Sequence, residues 1–174
     1  MPALVPALAD TCVVINGVAK TYAMTGWRVG WMIGPNDVIK AAANLQSHAT
    51  SNVCNVAQRA ALTAVSGDLS AVAEMRATYD RRRLTITKML NGIPGIRCPE
   101  PEGAFYAFPN ATKITHDDRA LAKFLLEEGG VACGGGSSFG AAGKGYLRFS
   151  YAASLEDIDW ALEQIAKVLP TFKG

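Results

Sequence analysis

Residues 16–31 read NGVAKTYAMTGWRVGW and follow directly on TCVVIN (11–16). The β-branched run predicts a buried strand over 11–16. WRVGWMIG (27–34) predicts a second strand, stopped by Pro35 and Asn36. Two cations, Lys20 and Arg28, thus fall at the ends of strands that expect burial. A lysine just past such a strand is most often a loop residue in water. It can also be a Schiff-base lysine, activated where burial and nearby cations lower the amine pKa. Arg28 reads either as the end of an amphipathic strand or as an anion clamp. The two chemical readings support each other. A lysine bonded to a phosphorylated aldehyde needs a cation for the phosphate, and guanidinium offers it a fixed, bidentate partner.

Outward from this stretch, NDVIKAAANL opens a helix with Asn36 as its cap. HATSN (48–52) reads as a loop. A helical pattern runs from Val56 to about Leu90, interrupted at Gly67-Asp68, with Asp68 capping the second helix. After Asn91 the character changes. NGIPGIRCPEPEGAFYAFPN is turn chemistry around short strands. DDRALAKFLLEEGG predicts an amphipathic helix with a glycine stop. VAC (131–133) predicts a short strand and GGGSSFGAAGKG a flexible loop. YLRFSYA (146–152) alternates, placing Leu147, Phe149 and Tyr151 on one face and Arg148 on the other. Ser154 caps a last helix, with Asp157 at its third position as in a capping box.

The order β, β, long helices, then β, α, β, β, α predicts an α/β chain with a smaller α+β part at its C-terminal end. Residues 92–174 are expected to fold best. The two upstream strands need neighbours and covering helices. Residues 1–60 are therefore expected to be poorly supported, with bare apolar faces. The whole reads as the back half of a larger α/β protein.

Composition excludes some classes. The chain has 174 residues, a formal charge of +2, 49% hydrophobic and 18% charged residues. That suits one ordinary domain or two small ones with a real core. The balance carries no nucleic-acid signal, and Arg81-Arg82-Arg83 reads as a solvated helix face. Cys12, Cys54, Cys98 and Cys133 are scattered without metal-binding spacing. Cys12 and Cys133 read as buried small hydrophobes, in a reduced, cytoplasmic setting. MPALVPALADTCVV lacks a basic start and is broken by prolines, so it does not read as a signal peptide. No run approaches the ~20 apolar residues of a membrane helix.

NGVAKTYAMTGWRVGWMIGP closely resembles the lysine motif of class I pyridoxal-phosphate aminotransferases of fold type I, in the aspartate-aminotransferase-like branch. Lys20 and Arg28 keep that motif's interval of eight positions. LQSHATSN resembles the stretch that reaches the neighbouring subunit's cofactor. PEGAFYAFP resembles the small-domain GAFY strand. SSFG followed by GYLRFSYA resembles the segment carrying the carboxylate-binding arginine. These matches keep the family's order across nearly the whole chain.

The resemblance implies the C-terminal portion of such an enzyme. Residues 1–60 would be a remnant of the large cofactor-binding domain and its mixed sheet, 61–91 connecting helices, and 92–174 the small α+β domain. Lys20 would hold pyridoxal 5'-phosphate and act as general base, Arg28 would bind the cofactor phosphate, and Arg148 would grip the substrate α-carboxylate. The residues themselves leave Arg148 open between that role and an edge-strand surface charge. The implied reaction is amino transfer between an amino acid, aspartate by resemblance, and a 2-oxo acid, in a homodimer of the full-length form. A lyase or decarboxylase on the same cofactor, or a catalytically incompetent fragment, is the alternative. Family members are roughly twice this length, and their N-terminal half supplies the aspartate that pairs with the pyridinium nitrogen. Gly17 and Ala19 stand where many members have serine. Cys133-Gly134-Gly135-Gly136 replaces VVPG, which predicts a looser loop.

Overall fold

The computed structural model describes residues 3–173 of an α/β chain. Its regular elements are β1 (Val14–Gly17), β2 (Gly30–Ile33), α1 (Asn36–Ala49), α2 (Asn55–Ser66), α3 (Ser70–Asn91), β3 (Tyr106–Ala107), α4 (Asp118–Gly129), β4 (Gly134–Gly135), β5 (Leu147–Ser150) and α5 (Leu155–Val168). They divide into two units, Met1–Ala73 and Glu74–Gly174. Among the described residues no helix is long and apolar enough to cross a membrane.

In the first unit β1 and β2 pair antiparallel, with Val14 opposite Ile33 and Gly17 opposite Gly30. Both strands start later than their apolar pattern predicts. A 3-10 turn at Thr25–Trp27 comes first, and Arg28 then takes a left-handed conformation, φ 55°, which a strand cannot continue. The expected burial of the strands is also corrected. Ile15 is 77% and Ile33 60% exposed, so these are bare apolar faces of the kind the missing cover predicts. Helix α1 is preceded by Pro35, and Asn36 is already helical with no capping bond from a side chain. His48 and Ala49 belong to α1, which leaves Ser51, φ 62°, to make the turn that follows. The break at Gly67-Asp68 falls where the sequence places it. Asp68 accepts from the Ser70 N–H at 3.0 Å and from the Ser70 hydroxyl at 2.5 Å, at the start of α3. Among the described residues, the buried apolar side chains of this unit are Val18, Ala57 and Ala61.

The second unit is built differently. Its sheet has the order β3-β5-β4, all antiparallel. Leu147, Phe149 and Tyr151 face inward as the alternation predicts, onto Leu90, Leu121, Leu125, Ile158, Leu162 and Ile165. Each such side chain contributes about 1.5–3 kcal/mol on burial. Asp117 caps α4 by accepting from Ala120 N at 2.9 Å, and left-handed Gly130 closes it. Ser154 caps α5 by accepting from Asp157 N at 3.0 Å.

Four expectations change here. The strand predicted at 131–133 lies at Gly134–Gly135, because those residues pair with Arg148 and Leu147. The glycine-rich segment that follows is not loose. It folds into 3-10 turns at Gly136–Phe139 and Ala141–Gly143. A Cβ on Gly136 would overlap the Gly143 carbonyl and stand 2.8 Å from the Tyr146 Cβ, so glycine permits two backbones to meet. The arginine run is only partly solvated. Arg83 pairs with Asp80 at 2.8 Å and with Glu100 across the turn-rich segment, and Arg82 lies 5.4 Å from the Tyr79 ring centre. Among the cysteines, Cys98 is the buried one, while Cys12 and Cys133 are half-buried.

Candidate active site

The connection between β1 and β2 carries Lys20 and Arg28. Its ends are held close by Gly17 and Gly30. A Cβ on Gly17 would lie 2.7 Å from the Val29 carbonyl oxygen, so glycine here permits two backbones to cross. Val18 is fully buried and its N–H bonds Val29 O at 3.2 Å. From there the chain curls tightly. Tyr22 N reaches Val18 O at 3.3 Å, Ala23 N reaches Lys20 O at 3.2 Å and Met24 N reaches Ala19 O at 3.1 Å. The side chain of Lys20 is exposed on this curl.

Arg28 ends the connection. Its left-handed backbone costs a non-glycine residue about 1–2 kcal/mol, and its Nη1 donates to Thr25 O at 2.8 Å. Ala23, φ 53°, shares that conformation in the same connection, so the backbone turn belongs to the connection and not to Arg28 alone. Arg28 lines a cleft of about 650 Å³ with Gly26, Trp27, Gln46, Thr50, Asn52, Val53, Cys54, Val56 and Ala57. Gln46, Thr50 and Asn52 come from LQSHATSN, so the fold brings that segment to the arginine. Lys20 shares the connection but does not line this cleft. At the cleft wall, the backbone N–H groups of Ala57 and Val56 draw the Cys54 thiol below its ordinary pKa against a small opposing effect of burial.

Arg148 lies on β5 in the second unit. Its guanidinium carbon is 4.5 Å from the Tyr106 ring centre and 4.2 Å from that of Phe139. Phe139 packs edge-on to Phe108, with centroids 6.2 Å apart, and Phe108 stacks on Tyr146 at 5.4 Å. Ring faces hold a planar cation while leaving its edge N–H donors for a carboxylate. Sequence reasoning marked Arg148 but gave no role to Tyr106 or Phe139. Both stand inside motifs it had quoted, GAFY and SSFG.

The donor set suits a phosphorylated aldehyde. Lys20 offers a primary amine for the carbonyl carbon, and Arg28 in the same connection offers a guanidinium for the phosphate, beside Gln46, Thr50 and Asn52 from α1 and the segment after it. A fork-shaped cation for a carboxylate stands on β5. Among the described residues, His, Cys, Asp and Glu do not gather into a group that could hold a metal ion.

Comparison with known proteins points the same way. The family model described as aminotransferase class I and II matches residues 3–165. The aspartate aminotransferase of Streptomyces avermitilis is 60% identical over 99% of this chain, which covers 44% of that protein. The aspartate/prephenate aminotransferase of Cereibacter sphaeroides is 43% identical over 92% of the chain, which covers 42% of it. Among solved structures, the aspartate aminotransferase of Rhizobium meliloti superposes with a TM-score of 0.92 and 37% identity, over 97% of this chain and 44% of that one. The aromatic aminotransferase of Pyrococcus horikoshii OT3 gives 0.91 and 36%, over 94% and 44%. The chain thus spans less than half the length of these relatives.

Proposed function

The chain belongs to the class I and II aminotransferases, and from that membership we propose that it carries the lysine and two arginines of a pyridoxal-phosphate-dependent aminotransferase. The reaction is amino transfer between an amino acid, aspartate first, and a 2-oxo acid. The names of the relatives support aspartate. The observation that carries the reading is the Lys20–Arg28 connection, whose Arg28 lines a cleft together with Gln46, Thr50 and Asn52.

The tasks divide among Lys20, Arg28 and Arg148. When bound, pyridoxal 5'-phosphate supplies the electron sink that acidifies the α-hydrogen. Lys20 is the amine that would hold the cofactor's aldehyde carbon, and the base that would take the α proton. Arg28 holds the phosphate. Arg148 grips the α-carboxylate through paired N–H donors, and that grip fixes the α-hydrogen for removal.

The chain takes its place as the C-terminal portion of a fold type I enzyme. Residues 1–60 contribute the last strands of the large domain, 61–91 the connecting helices and 92–174 the small domain. The working form is a cytoplasmic homodimer of the full-length protein.

Titration of the purified chain with pyridoxal 5'-phosphate, followed by borohydride reduction and peptide mapping, tests the reading. Label concentrated at Lys20, lost in Lys20→Ala and weakened in Arg28→Ala, is the expected result. Label spread evenly over the chain's lysines would count against it.

A further inference from the structure

Among the described residues, the buried polar side chains are Thr87 and Asp118, and only Asp118 is a charged type. Its carboxylate is fully engaged. Oδ2 accepts from Ser137 N at 2.9 Å and from Ser137 Oγ at 2.8 Å, and Oδ1 accepts from Gly145 N at 3.2 Å. Burial alone would push the carboxyl pKa up. The Ser137 N–H, the Ser137 hydroxyl and the Gly145 N–H outweigh it and hold the pKa below the ordinary aspartate value.

The two anchor points are informative. Ser137 sits in the 3-10 turn that presents Phe139, and Gly145 stands two residues before β5, which carries Arg148. One carboxylate therefore ties the segment bearing the ring to the segment bearing the cation. Phe139 is 52% exposed and meets Phe108 only edge-on, so packing alone holds its ring over the guanidinium only in part. Without that ring the guanidinium keeps one ring contact, to Tyr106, in place of two, and bidentate recognition needs one plane.

We infer that Asp118 is a positioning residue for the substrate carboxylate, tying Ser137 to Gly145 so that Phe139 holds the Arg148 guanidinium in its binding orientation. This rests on the reading of Arg148 as the carboxylate-binding residue. Asp118 itself touches neither substrate nor cofactor.

Asp118→Asn tests the link. Its amide keeps one acceptor and turns an NH₂ against an N–H donor, so either the Ser137 or the Gly145 bonds are lost. The readout is the Arg148 Nε–Hε signal in ¹⁵N-edited NMR of the whole chain, where ring currents displace it. Succinate serves as the carboxylate probe. In Asp118→Asn and Phe139→Leu the signal is expected to return toward ordinary arginine positions. Succinate affinity should fall about two- to fivefold, with the methyl signals of Leu121 and Leu147 unmoved. Ser137→Ala keeps the backbone N–H and should shift the signal less, in the same direction. Should Asp118→Asn fail to fold, Phe139→Leu and Ser137→Ala carry the decision. An Arg148 signal and a succinate affinity unchanged in the folded variants would overturn the inference. A wild-type Arg148 signal that ignores succinate would instead overturn the carboxylate role on which it rests, and the two failures appear in different samples.

Discussion

Strands β1 and β5 are both four residues long, and each carries two large apolar side chains, adjacent in β1 (Val14, Ile15) and alternate in β5 (Leu147, Phe149). In β5, Leu147 and Phe149 vanish into a core roofed by α4 and α5. In β1, Ile15 stands 77% in water. The strands match in length and in number of large apolar residues; the cover differs. The second unit closes its own core, and a residue such as Arg148 works there from a supported strand. The first unit places Lys20 and Arg28 on a hairpin whose apolar faces are open. Carrying candidate residues and supporting them are separate matters: Lys20 and Arg28 stand on the open hairpin, Arg148 on the covered strand.

Thiol chemistry should separate the units most widely. Cys54 is exposed, with its pKa drawn down by two backbone N–H groups, whereas burial pushes Cys133 up to about 12. Iodoacetamide at mildly alkaline pH should label Cys54 about a thousandfold faster than Cys133 in the native chain, as read by mass spectrometry. Comparable rates would erase that contrast.

Core truncation comes next. Leu121→Ala should cost about 2–5 kcal/mol in denaturant unfolding, while Ile15→Ala should stay within about 0.5 kcal/mol. Backbone crossings should show a smaller gap. Gly136→Ala forces a Cβ into Gly143 and should cost about 1–3 kcal/mol. Gly26→Ala meets nothing within 4 Å and should be close to neutral.

The smallest effect is acid sensitivity. Asp118 has a folded pKa below its unfolded one. The unfolded state therefore binds the proton first as pH falls, and the contribution is complete only above the unfolded value. It drains away as pH drops through the folded value. Melting temperature should fall in that window and flatten there in Asp118→Asn. Asp68 shifts the same way through its bonds to Ser70, but it lies in water, so Asp68→Asn should change that profile little.

Much of this was legible in the sequence. The Lys20–Arg28 interval needed no structure, and neither did the alternation of YLRFSYA or the caps Asp68 and Ser154. What escaped has physical reasons. WRVGW has the composition of a strand, and only tertiary geometry turns Arg28 left-handed. Glycine reads as freedom in a sequence, whereas Gly136 and Gly143 serve close approach. Asp117 and Asp118 are indistinguishable neighbours until the helix phase is known; one then caps α4 in water and the other is buried against residues 137–145. Nothing in DDRALAKF signals which.

Native-state hydrogen exchange on the purified, dilute chain tests the division most directly. Amides of Leu147–Ser150 should open only with global unfolding. Those of Val14–Gly17 should exchange at least about a hundredfold faster. Equal, strong protection in both strands would contradict the account.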